Sequence, residues 1–155
     1  MIQEKWKQSN VVGLDVITYA NGDVINIDIT VSQDSTNDYT YQKNYAFDYL
    51  DKTNLPTLLE MYKGDIWSVV DVFDRIEVDD YVVVCGDGGM GNEGYIARLD
   101  QENKLVWSLF STVSNPFMKI VIEGDFIYVQ SSHNFWMVIN KIDNTQISII
   151  NYSPL

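Results

Sequence analysis

The sequence predicts a mainly-β fold built of antiparallel meanders, with one short helix. Short aliphatic and aromatic runs recur along the chain, and clusters of glycine, proline, asparagine and aspartate separate them, as in small all-β domains. Apolar residues make up 46% of the chain and aromatic residues 13%, which is enough for a packed core. With 155 residues the chain has the usual size of one domain, so we expect a single domain over residues 1–155. The strand pattern leaves a sandwich, a barrel and a small propeller-like arrangement open.

A β-hairpin is predicted near the start of the chain. Residues 11–19 and 23–31 are two β-rich runs, and Asn21-Gly22 between them tolerate the positive φ that a two-residue hairpin turn demands. In the second run aliphatic residues alternate with polar ones, which places one side of the strand on the core and the other in water. The aliphatic residues predicted to face the core are Ile25, Ile27, Ile29 and Val31.

The next stretch predicts a polar loop at residues 34–38 and a tyrosine-rich strand at about 39–49. A short helix is then expected near 55–63. Residues 53–56 offer a capping side chain and a proline for the first turn, and Gly64 ends the helix.

From residue 66 onward the chain predicts strands to its end. Each run is short, and turn-forming residues such as Asp79-Asp80 and Asp143-Asn144 separate the runs. The predicted strands cover residues 66–73, 81–85, 94–99, 105–110, 117–122, 126–130, 135–142 and 145–150.

Two stretches in this part of the chain resemble each other. In each, an aspartate and an aromatic residue open an aliphatic strand, and a later strand ends in a basic residue, an aliphatic residue and an aspartate. The matched segments are 80–84 with 125–129 and 96–100 with 139–143. Over residues 76–150 this pattern resembles the repeats of β-propellers with tryptophan-ended strands, Trp107 being the matching tryptophan. The resemblance implies repeat units at about 80–110 and 125–150, although any two β-meanders share much of this pattern.

The segment from Gly86 to Gly91 matches the G-x-G-x-x-G pattern of dinucleotide-binding loops. That chemistry requires the third glycine to open a helix whose N–H groups meet the pyrophosphate. Here residues 92–100 predict another strand, and Asp87 and Glu93 would repel a phosphate. We therefore expect a glycine-rich hairpin loop and no nucleotide cofactor.

Candidate catalytic and metal-binding residues are few. His133 is the single histidine and Cys85 the single cysteine, which excludes a multi-histidine site, an intrachain disulfide and a cysteine metal cluster. His133 follows Ser131 and Ser132, but catalytic triads are defined by geometry and not by adjacency in sequence. We expect no catalytic residue, no metal and no cofactor, with an enzyme that uses scattered carboxylates as an alternative.

The charge distribution is the strongest functional signal. The formal net charge is −12, and the segment 60–102 carries −8 of it, with eleven acidic and three basic residues. Concentrated carboxylates steer a basic partner toward one face, and interleaved aromatic residues supply buried anchors. The simpler interpretation is that the acidic residues keep the protein soluble. The residues that we expect to bind the partner are Trp67, Asp71, Asp74, Glu77, Asp79, Asp80, Asp87 and Glu93.

The same charge argues against direct binding to DNA, RNA or an anionic membrane, all of which would be repelled. The first residues lead into polar sequence and not into an apolar signal segment, and no apolar run approaches the roughly 20 residues of a membrane helix. We therefore expect a cytoplasmic protein that has no membrane partner.

In composition the whole chain is similar to the immunity proteins of bacterial polymorphic-toxin systems, including contact-dependent growth inhibition. The shared features are small size, acidity and abundant aromatic and asparagine residues. The resemblance implies a tight complex with a basic toxin domain encoded at the same locus, often a nuclease, whose active cleft is covered by phosphate-mimicking carboxylates. An alternative is a β module that binds a small ligand in an aromatic-lined cavity.

Overall fold

A computed structural model of the chain describes residues 1–37 and 40–155, and it confirms the mainly-β prediction. The helices are α1 (Ile2–Lys7) and α2 (Leu55–Met61). The strands are β1 (Asn10–Val12), β2 (Val16–Tyr19), β3 (Asp23–Asn37), β4 (Thr40–Asn54), β5 (Trp67–Val69), β6 (Asp71–Val78), β7 (Tyr81–Asp87), β8 (Gly94–Leu99), β9 (Leu105–Ser111), β10 (Phe117–Glu123), β11 (Phe126–Ser131), β12 (Trp136–Asn140) and β13 (Ile147–Ile150).

The elements form three layers around a central antiparallel sheet. This sheet has seven strands in the order β4-β3-β2-β9-β8-β7-β6. A four-stranded meander, β10-β11-β12-β13, packs on one face. The opposite face is covered by α1, α2 and the two-stranded ribbon of β1 and β5. Of the arrangements that the sequence left open, the described residues form a sandwich with an added outer layer.

Each face of the central sheet buries its own core, and this explains the uninterrupted apolar runs in the sequence. On β7 the side chains of Val83 and Cys85 pack toward the meander, whereas Val82 and Val84 pack toward the helices. All four are buried, because a strand covered on both faces needs no polar side.

The predicted first hairpin is confirmed in β2 and β3, where Ile17 lies opposite Ile25. The predicted run 11–19 is not one strand, however. It divides into β1 and β2, which pair in different sheets. At the break Gly13 lies so close to Ser68 that a Cβ atom would clash with its side chain.

The core-facing side of β3 is only partly as predicted. Ile27 and Ile29 are buried and Ile25 is half-buried, but Val31 is 56% exposed. Beyond residue 26 the strand pairs with β4 and no longer with β2, so its outer part extends away from the sheet as a two-stranded ribbon.

The polar loop predicted at 34–38 is wrong for residues 34–37, which belong to β3, while Asp38 lies outside the described residues. The tyrosine-rich strand is confirmed in β4, although Tyr39 also lies outside the described part and the strand continues to Asn54. Cross-strand pairing therefore overrides the polar composition here, as expected for a context-dependent β propensity.

The predicted helix is confirmed in α2, which ends two residues earlier than expected. The Asn54 side chain caps it by accepting a hydrogen bond from the Thr57 N–H at 2.9 Å, and Gly64 follows with φ +82°. Helix α1 was not predicted. It is short, and Ile2 is its buried residue.

The strand predicted at 66–73 is wrong as a single element. It divides into β5 and β6 at Val70, and β6 then continues to Val78. The later predicted strands match β7 to β13, with the predicted bounds in β8 and shifted ends in the others. The two similar stretches become β7–β8 in the central sheet and β11–β12 in the meander, so they lie in two stacked sheets.

Candidate functional site

The acidic segment is divided between two ends of the central sheet. We call the end with residues 78–81 and 99–105 the turn end, and the end with residues 13–15, 88–93 and 112–116 the loop end. Strands β6 and β7 are antiparallel, so Asp71 lies opposite Asp87 at the loop end and Val78 lies opposite Tyr81 at the turn end. The acidic residues that follow one another in sequence therefore do not form one face.

The turn end gathers Glu77, Asp79 and Asp80 of the predicted set. These three line a cleft of about 240 Å³. Basic side chains already occupy this end: Lys141 Nζ lies 3.6 Å from a carboxylate oxygen of Asp79, and Lys104 Nζ lies 3.4 Å from one of Glu102. The turn end is thus partly neutralised within the chain.

Asp74 has an internal role. Its two carboxylate oxygens accept hydrogen bonds from the backbone N–H groups of Ile120, at 2.7 Å, and of Arg75, at 2.9 Å. Ile120 belongs to β10 and Asp74 to β6, so the carboxylate joins the edge strands of the two stacked sheets. A carboxylate engaged in this way has less capacity for a partner.

Trp67 lies apart from the acidic strands, on β5 in the outer layer. Its ring is half-buried against the helix-side core. The ammonium group of Lys5 lies 5.3 Å from the ring centroid, within the range of a cation–π contact. The ring therefore already has partners inside the chain.

The loop end holds the remaining predicted residues, Asp71, Asp87 and Glu93. Asp71 is exposed and directly opposite half-buried Asp87, an arrangement of like charges that destabilises a sheet. One oxygen of Asp87 is buried without a hydrogen-bond partner. Glu93 accepts a bond from the Met90 N–H at 2.9 Å. Within residues 1–37 and 40–155, both ion pairs lie at the turn end and none lies here.

Tyr95, on the neighbouring strand β8, lies opposite Gly86, the residue before Asp87. Its hydroxyl is buried and has no hydrogen-bond partner among the described residues. Burial raises the pKa of Tyr95, and electrostatic interactions with Cys85, Asp71 and Asp87 raise it further. Tyr95 is therefore neutral at any physiological pH, and it adds an unsatisfied polar atom to the loop end.

Two further acidic residues, Asp15 and Asp51, lie on the loop-end side, and sequence reasoning did not select them. Asp15 accepts bonds from the backbone N–H of Thr112, at 2.7 Å, and from its hydroxyl, at 2.8 Å. The side-chain amide of Asn92, in the glycine-rich loop, donates to the Thr112 carbonyl at 2.8 Å. The aspartate before β2 is thereby linked to the loop between β7 and β8, a neighbourhood that only tertiary structure creates.

Asp51 reaches this region through an irregularity in the β3–β4 ladder. Ile25 pairs with Lys52 but Ile27 pairs with Tyr49, so Leu50 and Asp51 both face Asn26. A surface cleft of about 370 Å³ opens beside this bulge. Its lining residues are Leu14, Asp15, Asn26, Ile27, Leu50, Asp51, Leu58, Tyr62 and Thr112.

Large apolar side chains are exposed next to the loop-end carboxylates. Phe73 sits at a bulge in β6, where Val72 and Asp74 pair with consecutive residues of β7. The glycine-rich loop lies against β5, since a Cβ atom on Gly89 would be 3.8 Å from Ser68 Oγ. The exposed fractions are 59% for Val69, 53% for Val72, 44% for Phe73 and 65% for Met90.

The residues considered for catalysis do not form a nucleophile–base pair. Ser131 Oγ accepts from the backbone N–H of His133 at 3.0 Å and donates to the carbonyl of Ser114. The imidazole instead stacks on Tyr45, with ring centroids 5.8 Å apart. Burial and the charge of Lys43 lower the pKa of His133. In the described part of the chain no group of metal-ligating side chains is large enough to hold an ion.

Comparisons with known protein families, with curated proteins and with solved structures find no match to this chain. Among the described residues, no helix has the length and apolarity to cross a bilayer.

Proposed function

We propose that this protein binds a basic partner protein through its loop end. The observation that supports this most is the contrast between the two ends of the sheet. Two carboxylates at the turn end, those of Asp79 and Glu102, have lysine partners, whereas Asp71, Asp87 and Glu93 at the loop end make no ion pair among the described residues. Unpaired carboxylates on one side of a small domain attract and orient a cationic partner.

The exposed apolar side chains beside these carboxylates strengthen the proposal. Interfaces combine a few large anchors with a polar rim, and scattered single apolar residues alone would need no explanation. Here Val72, Phe73 and Met90 lie next to Asp71 and the glycine-rich loop. A partner with basic residues around an apolar patch would complement this surface.

We further propose that the partner is a toxin domain, a nuclease, encoded at the same locus, and that the complex neutralises it in the cytoplasm. This identity rests on the compositional similarity to immunity proteins, together with the acidic loop end. In this view the carboxylates of Asp71 and Asp87 meet the basic groups that would otherwise hold nucleic-acid phosphates.

The alternative of a small ligand inside an aromatic-lined cavity has weaker support. Trp107, Phe117 and Phe135 are aromatic, but they are buried core residues that fill the space between the two stacked sheets. The 370 Å³ cleft lies on the surface beside α2 and has one aromatic wall, Tyr62.

The test uses the protein encoded by the reading frame adjacent to this gene, co-expressed with the tagged chain. We expect a complex whose association slows steeply between low and high salt. The double variant Asp71→Lys/Phe73→Ala should weaken it by at least about tenfold, which corresponds to roughly 1.4 kcal/mol. The matched control is Asp80→Lys at the turn end, which should leave the affinity within about twofold.

Absence of a complex would refute the proposal for that locus. A complex that is insensitive to the loop-end variant but weakened by Asp80→Lys would also contradict it, because it would move the interface to the turn end.

A further inference from the structure

The cleft beside the β3–β4 bulge is lined by both apolar and acidic residues. Leu14, Leu50 and Tyr62 contribute apolar surface, and Leu50 and Tyr62 are 53% and 44% exposed. Asp15, Asn26 and Asp51 contribute the polar atoms. The volume of about 370 Å³ lies at the lower end of the roughly 300–1,000 Å³ that is usual for small ligand sites.

The two carboxylates in the cleft differ in how they are held. Asp15 is fixed, because both of its oxygens accept bonds from Thr112. Each of these oxygens still has a free lone pair. The carboxylate of Asp51 makes no hydrogen bond or ion pair within the described residues, and no lysine or arginine lines the cleft. The cleft therefore offers several acceptors and no internal cation.

The bulge in β4 places the Asp51 side chain at the surface. Leu50 and Asp51 form the extra pair opposite Asn26, whose side-chain amide donates to the Asp51 carbonyl at 3.3 Å. This bond compensates for the interrupted ladder and keeps the bulge in place. Bulges commonly direct side chains toward binding sites. Here the bulge places an apolar and an anionic side chain next to each other at the surface.

The cleft also adjoins the surface proposed above. Thr112 lines the cleft and accepts a hydrogen bond from Asn92 in the glycine-rich loop. A protein that covers the loop end is thus within reach of the cleft.

We propose that this cleft receives an arginine side chain of the basic partner, an inference that rests on the proposed function. The methylene groups would pack against Leu14 and Leu50, and the guanidinium would donate to Asp15 and Asp51 while stacking on Tyr62. Arginine fits better than lysine, because its planar, weakly hydrated head has five donors and stacks on aromatic rings. Lysine offers a compact and strongly hydrated charge.

The test is an amide-shift NMR titration of the free protein with N-acetyl-arginine amide, which needs no knowledge of the partner. We expect saturable shifts at residues 14, 15, 26, 50, 51, 62 and 112, with millimolar affinity. N-acetyl-lysine amide should bind more weakly, and N-acetyl-norleucine amide should produce no shifts there.

Two variants sharpen the assignment. Asp51→Asn should weaken arginine binding about fivefold, the loss expected for a charge-assisted contact near the surface. Tyr62→Leu should keep the apolar wall but remove the preference for arginine over lysine. Asp80→Asn at the turn end is the matched control and should leave the titration unchanged.

The proposal would be overturned if no saturable shifts appeared in the cleft, or if the arginine and lysine amides bound equally well. Shifts spread over all acidic parts of the surface would overturn it too. The proposed function would survive such a result if Asp71→Lys/Phe73→Ala still weakened binding of the adjacent-frame protein by at least about tenfold. A failure of the proposed function and a failure of the arginine site can therefore be distinguished.

Discussion

Asn151 holds the backbone of Tyr45 with both ends of its side-chain amide. The Tyr45 N–H donates to Asn151 Oδ1 at 2.7 Å, and Asn151 Nδ2 donates to the Tyr45 carbonyl at 3.0 Å. Tyr45 lies on β4, the edge strand of the central sheet, and Asn151 directly follows β13 of the meander. The amide makes the two hydrogen bonds that a further strand would make at this edge, and it thereby joins the two sheets. The Tyr45 ring also stacks on the Phe135 ring, with the ring centroids 4.3 Å apart.

Asn151→Ala should lower the free energy of unfolding by about 1–3 kcal/mol, because it leaves two backbone groups of a buried residue without partners. Asn151→Asp should also be destabilising, since it keeps the acceptor for the N–H but places an oxygen against the Tyr45 carbonyl. Urea denaturation measures both. Ser148→Ala, an exposed change on β13, is the control and should stay within about 0.5 kcal/mol of the parent.

Tyr95→Phe should stabilise the protein. The Tyr95 hydroxyl is fully buried and has no hydrogen-bond partner among the described residues, so its removal eliminates a desolvation cost of about 1–3 kcal/mol. A gain of about 1 kcal/mol would raise Tm by roughly 2–4 °C for a chain of this size.

Tyr81→Phe is the matched control, and it should destabilise the protein. The Tyr81 hydroxyl donates to the Lys141 carbonyl at 2.5 Å, so its removal should cost about 1 kcal/mol. If thermal denaturation showed that Tyr95→Phe lowers Tm as much as Tyr81→Phe does, the Tyr95 hydroxyl would have to be satisfied in the folded state.

Cys85 should be unreactive in the native protein. Burial, followed by the charge of Asp74, raises the pKa of its thiol from 9.0 to about 12. At pH 8 a pKa of 12 leaves about one thiolate in ten thousand, and the thiolate is the nucleophile. Labelling with a disulfide reagent should therefore follow global unfolding and accelerate with urea. Rapid labelling in buffer alone would contradict the buried position.

The same shift predicts alkaline sensitivity. The folded-state pKa of Cys85 lies above the unfolded value, so the stability that it contributes is fully present below pH 9 and is lost as pH rises toward about 12. Burial also raises the pKa of Tyr95, and it raises the pKa of Tyr49 to about 12. Both tyrosines therefore lower the free energy of unfolding further as pH rises above about 10. In Cys85→Ala the free energy of unfolding should fall less steeply between pH 9 and pH 10.

Strands are predicted correctly from the sequence where one strand occupies one apolar run. Strands β7 to β13 each match an apolar run bounded by turn residues, because local composition and tertiary pairing agree there. The single strands predicted at 11–19 and 66–73 are wrong, because each of these runs contains parts of two strands. In both runs the chain leaves the outer ribbon and enters the central sheet within a few residues, and alternation carries no information about a change of partner strand.

The candidate site was less accessible to sequence reasoning for a related reason. Asp71 and Asp80 are close in sequence, but β6 carries them to opposite ends of the sheet. Asp15 and Asp51 lie outside the acidic segment, and a bulge and the Thr112 contacts bring them to the loop-end side. The sequence shows where carboxylates are concentrated along the chain. Strand direction and register determine which of these carboxylates lie close together in the fold.

Gly86→Ala should be strongly destabilising. A Cβ atom at Gly86 would overlap the backbone carbonyl oxygen of Asp71, so β6 would have to separate from β7. A loss of at least about 3 kcal/mol is expected, because backbone atoms cannot move aside as a flexible side chain can. Gly91→Ala is the control: nothing lies within 4 Å of its Cβ position, and its effect in urea denaturation should be small.

Asp71 and Asp74, three residues apart on β6, should respond in opposite ways to the same change. Asp74→Asn should lower the free energy of unfolding by about 1–2 kcal/mol, because an amide can accept only one of the bonds from Ile120 and Arg75. Asp71→Asn should raise it by about 0.2–1 kcal/mol, because it removes the repulsion with Asp87 directly opposite. Urea denaturation at low and high salt checks both, since screening should reduce the gain in Asp71→Asn and leave the loss in Asp74→Asn nearly unchanged. If both variants lost stability equally, Asp71 would be a structural residue, and its place in the binding surface would have to be reconsidered.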